Sequence, residues 1–395
     1  MVAHRWVIWL VVLLVALQPL AGAPVVAGTP PPADSASTLD PPTPYPPPIP
    51  DAPNPLGLNR TVPRFPGRGL PTEFSPDQRG ELLNTAQNVE LIGQYLTPGY
   101  AYGVAVFGGY AYVADWDLGL RVIGVSDPVH PVERGYYDTP GYAWGVAISG
   151  DYAYVADYDS GLRVVDVSDP AHPVERGYYD TPGYAWSVAI SGSYAYVADG
   201  DSGLRVIDVS DPAHPVERGF YDTPGPALGV AVSGDYAYVA DGDSGLRVID
   251  VSDPAHPLER GFYDTPGPAL GVAVSGGYAY VADYEYGLRV IAISDPSHLV
   301  ESGFYDTPGS PWDVDVSGDY AYVADESGGL RVIKVSDPSH PVERGFYDAS
   351  VHVYDVVVSG DYIYVADGGG ALMILRFTDA PTERMYLPLV MRSQV

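Results

Sequence analysis

Apolar and polar positions alternate in short runs through most of the chain, and the runs return on a fixed step. The sharpest of them is Tyr152-Ala-Tyr-Val-Ala-Asp157. The same hexapeptide begins at Tyr110, Tyr152, Tyr194, Tyr236, Tyr278 and Tyr320, and once more as Tyr362-Ile-Tyr-Val-Ala-Asp367, each start 42 residues after the one before. A period in the forties belongs to a propeller blade or to a helical-pair repeat. The residue types decide between them. Val, Ile and Tyr crowd the apolar positions, while Gly, Pro, Asp and Ser break the pattern roughly every 6–10 residues, too often for a helix.

The unit from Gly141 to Pro182 shows the predicted elements. Trp144–Ser149 is a first strand, with Val146 and Ile148 on one face and the small Gly145 and Ala147 on the other. Gly150-Asp151 is a tight turn into a second strand, Tyr152–Ala156. Asp157-Tyr-Asp-Ser-Gly161 is a hairpin loop with glycine where a positive φ is needed. Leu162–Val167 is the third strand. Ser168-Asp-Pro-Ala-His-Pro173 leaves the ladder, since proline lacks a donor. Val174–Asp180 is the fourth strand. Small residues opposite branched ones suit a blade that is buried on both faces.

Four antiparallel strands per unit predict an all-β, seven-bladed β-propeller. Fourth-strand segments end at Pro98, Pro140, Pro182, Pro224, Pro266 and Pro308, with a divergent one ending near Ser350. The segment ending at Pro98, Asn88–Leu96, has no blade of its own, and the last unit stops after three strands. The N-terminal strand is therefore expected to complete the last blade and remove the open edges of the ring.

The third strand and its turn, Gly-Leu-Arg-Val-Ile-Asp-Val-Ser-Asp-Pro at Gly203–Pro212 and Gly245–Pro254, resemble the LVIVD repeat of exported bacterial and archaeal surface proteins. The resemblance runs over roughly residues 88–377. The last unit departs from it, reading Ala371-Leu-Met-Ile-Leu375 without the Asp. The resemblance implies a propeller and an exported location. It implies no defined reaction.

The rest of the 395 residues divides around that ring. Residues 1–27 read as a signal peptide, with His4-Arg5, an apolar run at Trp6–Leu17 and a small-residue cleavage site. Pro24 stands against cleavage after Ala23, so a retained membrane anchor is the rival reading. Residues 28–80 are a Pro-rich linker of polyproline II character, residues 81–380 the propeller, and residues 381–395 a tail. Met385-Tyr-Leu-Pro-Leu-Val-Met-Arg392 is similar to tails on some secreted bacterial proteins, and is read either as a sorting tag or as a segment packed on the last blade. No cysteine is present, so disulfides and thiol chemistry are excluded. Fifty acids against 20 bases give a net charge of −30. That balance, with no basic stripe, argues against nucleic acid and anionic lipid surfaces as partners.

Candidate chemistry is sparse. Six of the eight histidines (His130, His172, His214, His256, His298 and His340) share one column in Ser-Asp-Pro-x-His, where the ring symmetry holds them apart, so a turn role is expected. Asp157-x-Asp159-x-Gly161 and its copies look like calcium loops but lack the third ligand and the closing Glu; calcium there is the minor reading, and no other cofactor or metal is expected. Residues 219–234 and 261–276 are identical, which favours a scaffold over an enzyme. Two columns break the repetition. The first-strand column reads Gly103, Gly145, Ser187, Gly229, Gly271 and then Asp313 and Asp355; two residues on, Asp315 stands alone among alanines and one valine. These three acids are expected at the channel. The loop columns place Tyr100, Trp116, Tyr142, Tyr158 and Tyr184 on blades one to three, as an exposed aromatic platform for a ligand. The Trp144 column, in which Leu228 and Leu270 replace Trp, reads as packing. The expectation is a secreted or surface-attached, monomeric, non-catalytic module that binds an extracellular protein or glycan. The alternative is a hydrolase or lyase acting on an extracellular glycan at the channel mouth.

Overall fold

The computed structural model describes residues 85–349 and 352–379. The leader, the Pro-rich segment and the C-terminal tail lie outside them. Within them the chain forms antiparallel sheets only, one per repeat.

Blade one holds Gly103–Phe107, Tyr110–Ala114, Leu120–Gly124 and Val132–Tyr137, hydrogen-bonded in that order from the axis outward. Blades two to five repeat this order, starting at Gly145, Ser187, Gly229 and Ala269. The inner strand of each blade packs beside that of the next, and Val353–Ser359 of blade seven returns to Gly103–Phe107 of blade one, so the ring is closed. Turns follow the sequence signals: Gly150 and its equivalents take φ near +58° between the first two strands. In each outer strand the register slips by one residue, as between Glu175 and Gly177, and the bulge adds twist.

The core is not one mass but seven seams between blades. In the second seam Tyr154, Leu162 and Val164 of blade two meet Ala195, Val197 and Ile207 of blade three. Bulk on one face lies against alanine on the other, as the alternation required. The outer glycines extend this fit: a Cβ at Gly177 would lie 2.5 Å from the carbonyl oxygen of Pro212 in the next blade, closer than carbon and oxygen can stand.

Closure is as the sequence predicts. Val89–Leu96 pairs antiparallel with Ala371–Phe377 and supplies the outer strand of blade seven. One feature is additional. Ala86–Gln87 pairs with Phe346–Tyr347 and gives blade six a fifth strand. The reason lies in the divergent last repeat, which has no Ser-Asp-Pro turn to seat beside the outer strand of blade six. The Gln87 carbonyl takes that place, 2.7 Å from where a Gly345 Cβ would be. Asn88, in the left-handed region at φ 58°, ties the segment down by donating from Nδ2 to the Arg344 carbonyl at 2.7 Å.

Candidate functional site: an aromatic rim and an axial pocket

On one face of the ring, the hairpin between the second and third strands of a blade bonds to the loop entering the next blade. Ala143 donates to the Trp116 carbonyl at 2.9 Å; Ala185 does the same to Tyr158 at 2.9 Å, and Tyr158 donates back to Ala185 at 3.1 Å. Gly200 with Ala227, Gly242 with Ala269 and Glu326 with Val353 repeat the bridge. The hairpin residue in this bridge is left-handed. Gly200 and Gly242 take φ of 55° and 52°, which costs glycine nothing, yet Trp116, Tyr158 and Glu326 hold 49°, 47° and 44°.

Beneath each bridge a buried aspartate ties three segments together. The Asp157 carboxylate accepts from the Gly141 N–H at 2.8 Å and from the Thr139 hydroxyl, and faces the Arg163 guanidinium at 3.7 Å. Arg163 in turn lies over the Tyr178 ring at 4.5 Å. Burial pushes the Asp157 carboxyl up to about 6, against those hydrogen bonds and the arginine. The loop that resembled a calcium site thus turns its first carboxylate inward. The histidine column stays exposed, each Nδ1 facing its own turn aspartate, as His172 does to Asp169 at 2.9 Å.

The structure joins all five aromatics expected on this face into one belt. Tyr100 meets Trp116 at 5.5 Å between centroids, Trp116 meets Tyr142 at 5.2 Å, and Tyr142 meets Tyr158 at 6.3 Å. Tyr184 stacks on Tyr158 at 4.3 Å. Exposure is not uniform along the belt, contrary to the expected platform. Tyr142 and Tyr184 are 41% and 39% exposed, while Tyr158 is 8% exposed and works as a wedge beneath Tyr184. The Tyr158 hydroxyl is buried without a hydrogen-bond partner among the described residues, and burial drives its pKa up to about 12.

The column read as packing turns out to be the rim of the channel. Tyr102, Trp144, Trp186, Leu228, Leu270, Trp312 and Tyr354 stand at one position of seven blades and encircle an axial pocket of about 120 Å³. Five of them form an unbroken arc. Trp186 meets Trp144 at 4.6 Å, Trp144 stacks on Tyr102 at 4.3 Å, Tyr102 meets Tyr354 at 5.0 Å, and Tyr354 meets Trp312 at 5.0 Å. The 42-residue step already held this signal: residues at one blade position that precede the inner strand must converge on the axis. Substitution of Trp by Leu hid it, because leucine there shortens the wall without removing it.

Asp313 and Asp355 lie at the neck where this pocket opens into the channel. The glycine column explains why acids enter at only two blades. A Cβ at Gly103 would lie 2.6 Å from the Trp144 carbonyl oxygen, and one at Gly271 would lie 2.7 Å from Asp313 Oδ1. Where an acid does enter, it bonds to the next blade. Val104 donates to Asp355 Oδ2 at 2.7 Å, and Val358 donates to Asp315 Oδ2 at 2.7 Å. These N–H groups belong to innermost strands, whose inner edge has no strand to pair with. Asp313 is pushed well above the ordinary carboxylate range by burial and by the neighbouring Asp355, to which it gives a hydrogen bond. Both carboxyls are walled by protein yet reach the channel space. Asp315, one step further in, is raised by burial. Among the described residues, no three His, Cys, Asp or Glu side chains are placed to hold a metal ion.

The LVIVD repeat family matches the chain seven times in tandem, over residues 98–139, 140–181, 182–223, 224–265, 266–307, 308–349 and 352–375. No curated protein matches it. Among solved structures, a chain of the mitotic checkpoint complex superposes with a TM-score of 0.62 at 12% identity, covering 81% of this chain and 99% of that one. The WD40 β-propeller domain of Doa1 gives 0.60 at 10% identity, covering 74% and 97%. The computationally designed Ika8 protein gives 0.54 at 8% identity, covering 73% and 98%. Identities this low speak to the fold alone.

Proposed function

Because the chain belongs to the LVIVD repeat family and closes a seven-bladed ring, we propose that it is a non-catalytic binding module, exported and held at the cell surface, whose ligand lies across the aromatic rim of blades one to three. One observation carries this reading. Trp116 and Tyr158 occupy left-handed backbone that sister blades fill with Gly200 and Gly242. Keeping a bulky residue there costs on the order of 1–2 kcal/mol per position. Strain of that size persists where it serves a site. The rings that result are continuous with the exposed Tyr142 and Tyr184.

A row of tilted rings offers flat faces to sugar C–H groups or to a peptide, and the acidic surface suits sugar hydroxyls or a basic segment. Export is supported by the leader-like composition of residues 1–27 and by the proline-rich spacer after it. Glycan and peptide arrays probed with the purified propeller test the reading. The variant Trp116→Gly with Tyr142→Ser leaves the backbone at ease and removes the rim. Each hot-spot ring is worth about 2 kcal/mol, so the double variant should lose at least 30-fold in affinity with no fall in its melting temperature. Undiminished binding by that variant would refute the rim.

A further inference from the structure

The axial pocket has a chemistry of its own. Its wall is an arc of five aromatic rings closed by two leucines, and its neck carries Asp313 and Asp355. No Lys, Arg or His lines it. Six of the seven buried hairpin aspartates among the described residues differ from this pair, while Asp367 of the last blade also lacks an arginine and accepts from the Gly369 N–H at 2.7 Å. Asp115, Asp157, Asp199, Asp241, Asp283 and Asp325 each face a buried arginine of their own blade. The channel pair has no ion-pair partner among the described residues. Buried carboxylates ordinarily meet a cation or a dense set of donors; here the two acids share a hydrogen bond and take backbone N–H groups, from Val104 at 2.7 Å and Val356 at 3.5 Å among them, and no cation.

We propose that the axial pocket is an aromatic cage for a small organic ammonium group, a quaternary or methylated amine whose charge sits above the neck at Asp313 and Asp355. Ring faces attract a weakly hydrated cation through their quadrupole, and the attraction grows where water is excluded. Asp355, the member of the pair that accepts the hydrogen bond from Asp313, adds Coulomb attraction in a site that bulk solvent barely screens. Size points the same way. About 120 Å³ accommodates an ammonium head group and falls well short of the roughly 300 Å³ at which pockets begin to hold drug-sized ligands. A net charge of −30 raises the local concentration of any cation near the mouth. The inference goes beyond the rim: it concerns the axis of the ring and stands whether the rim binds a glycan, a peptide or neither.

Titration calorimetry and tryptophan fluorescence with choline chloride test it, against 3,3-dimethyl-1-butanol as the uncharged isostere and calcium chloride as the inorganic cation. Choline should bind saturably, and the uncharged alcohol at least tenfold more weakly. Trp144→Leu and Trp312→Leu place at these positions the residue that Leu228 and Leu270 already carry in sister blades, so the ring should keep its melting temperature. Each should weaken choline about five- to tenfold. Asp355→Asn keeps an oxygen for the Val104 N–H and removes the charge, and should weaken choline by a similar factor. The array assay of the rim should be unaffected by all three. The proposal falls if choline shows no saturable signal, if the alcohol or calcium binds as well, or if the tryptophan variants bind choline as the parent does.

Discussion

Glycine at position 326 should stabilise the protein. Glu326 holds φ of 44° in the hairpin of blade six, where blades three and four carry Gly200 and Gly242 at 55° and 52°. Its backbone exchanges hydrogen bonds with Val353, both at 3.1 Å, and glycine keeps these as Gly200 keeps its pair with Ala227 at 3.0 Å. Relief from the left-handed penalty is about 1–2 kcal/mol. Glycine's greater freedom in the unfolded chain returns about 0.4–1 kcal/mol of that. Burial is what chiefly pushes Asp325 upward, and the small addition from the Glu326 charge also disappears. The net is a gain of about 0.5–1 kcal/mol, or roughly 1–2 °C in Tm for a domain of this size. Urea unfolding of Glu326→Gly checks it, with the midpoint rising and the slope unchanged. Gly200→Glu is the reverse experiment. A Cβ there meets Trp186 Nε1 at 3.3 Å, the Tyr184 carbonyl oxygen at 3.4 Å and Trp186 Cδ1 at 3.7 Å, none closer than 3.0 Å, so backbone strain dominates its cost, about 1–2 kcal/mol. If Glu326→Gly loses stability, or if neither change moves the midpoint, the left-handed column is not strained and the case for the aromatic rim loses its main support.

Two further outcomes follow from the same geometry. Removing the N-terminal residues through Leu96 takes away both the closing strand of blade seven and the fifth strand of blade six, so the protein should aggregate through the bared edge of Ala371–Phe377; a monomer with unchanged melting on size-exclusion and thermal unfolding would refute closure. Acidification should raise the melting temperature between pH 7.5 and 5: Asp115, Asp157, Asp199, Asp283, Asp325 and Asp367 are each pushed up to about 6, so the folded protein binds protons that the unfolded chain, with carboxyls near 3.9, does not, and stability falls as pH rises through that window. Asp208 and Asp250, held down to about 2 by their serine and arginine hydrogen bonds, contribute stability that is lost only below about pH 4, outside that window. A melting temperature equal or lower at pH 5 would sink this, and Asp157→Asn should flatten the slope in proportion.

The blade was legible because one period fixed four strands at once, and because prolines and glycines marked every place where a strand had to stop. Closure was legible from an unpaired strand at one end and a missing one at the other. The fifth strand of blade six was not, since nothing in Ala86-Gln87 announces a strand; it forms because Gly345 needs a neighbour that the last repeat no longer supplies. The burial of Tyr158 was hidden for a related reason. Its column reads as a variable loop, and only the bridge to Ala185 turns the ring under Tyr184 instead of into solvent.

The channel acids carry the remaining lesson about repeats. A column that is glycine in four blades is glycine because the next blade's backbone lies against it, so a larger side chain there is admitted only where a neighbour yields or bonds to it. Ser187, Asp313 and Asp355 are the three departures, and the two acids fall in adjoining blades beside the closure. Asp355 bonds across the joint to Val104, so it joins the last repeat to the first at the innermost strand while Val89–Leu96 completes the last blade at the outermost. The ring is thus held at both radii where a chain-built propeller is weakest. A pair of carboxyls that served only this joint would need no opening to solvent. These open into a pocket walled by five rings, and that combination makes the axis, and not the repeats around it, the place where this propeller departs furthest from a bare scaffold.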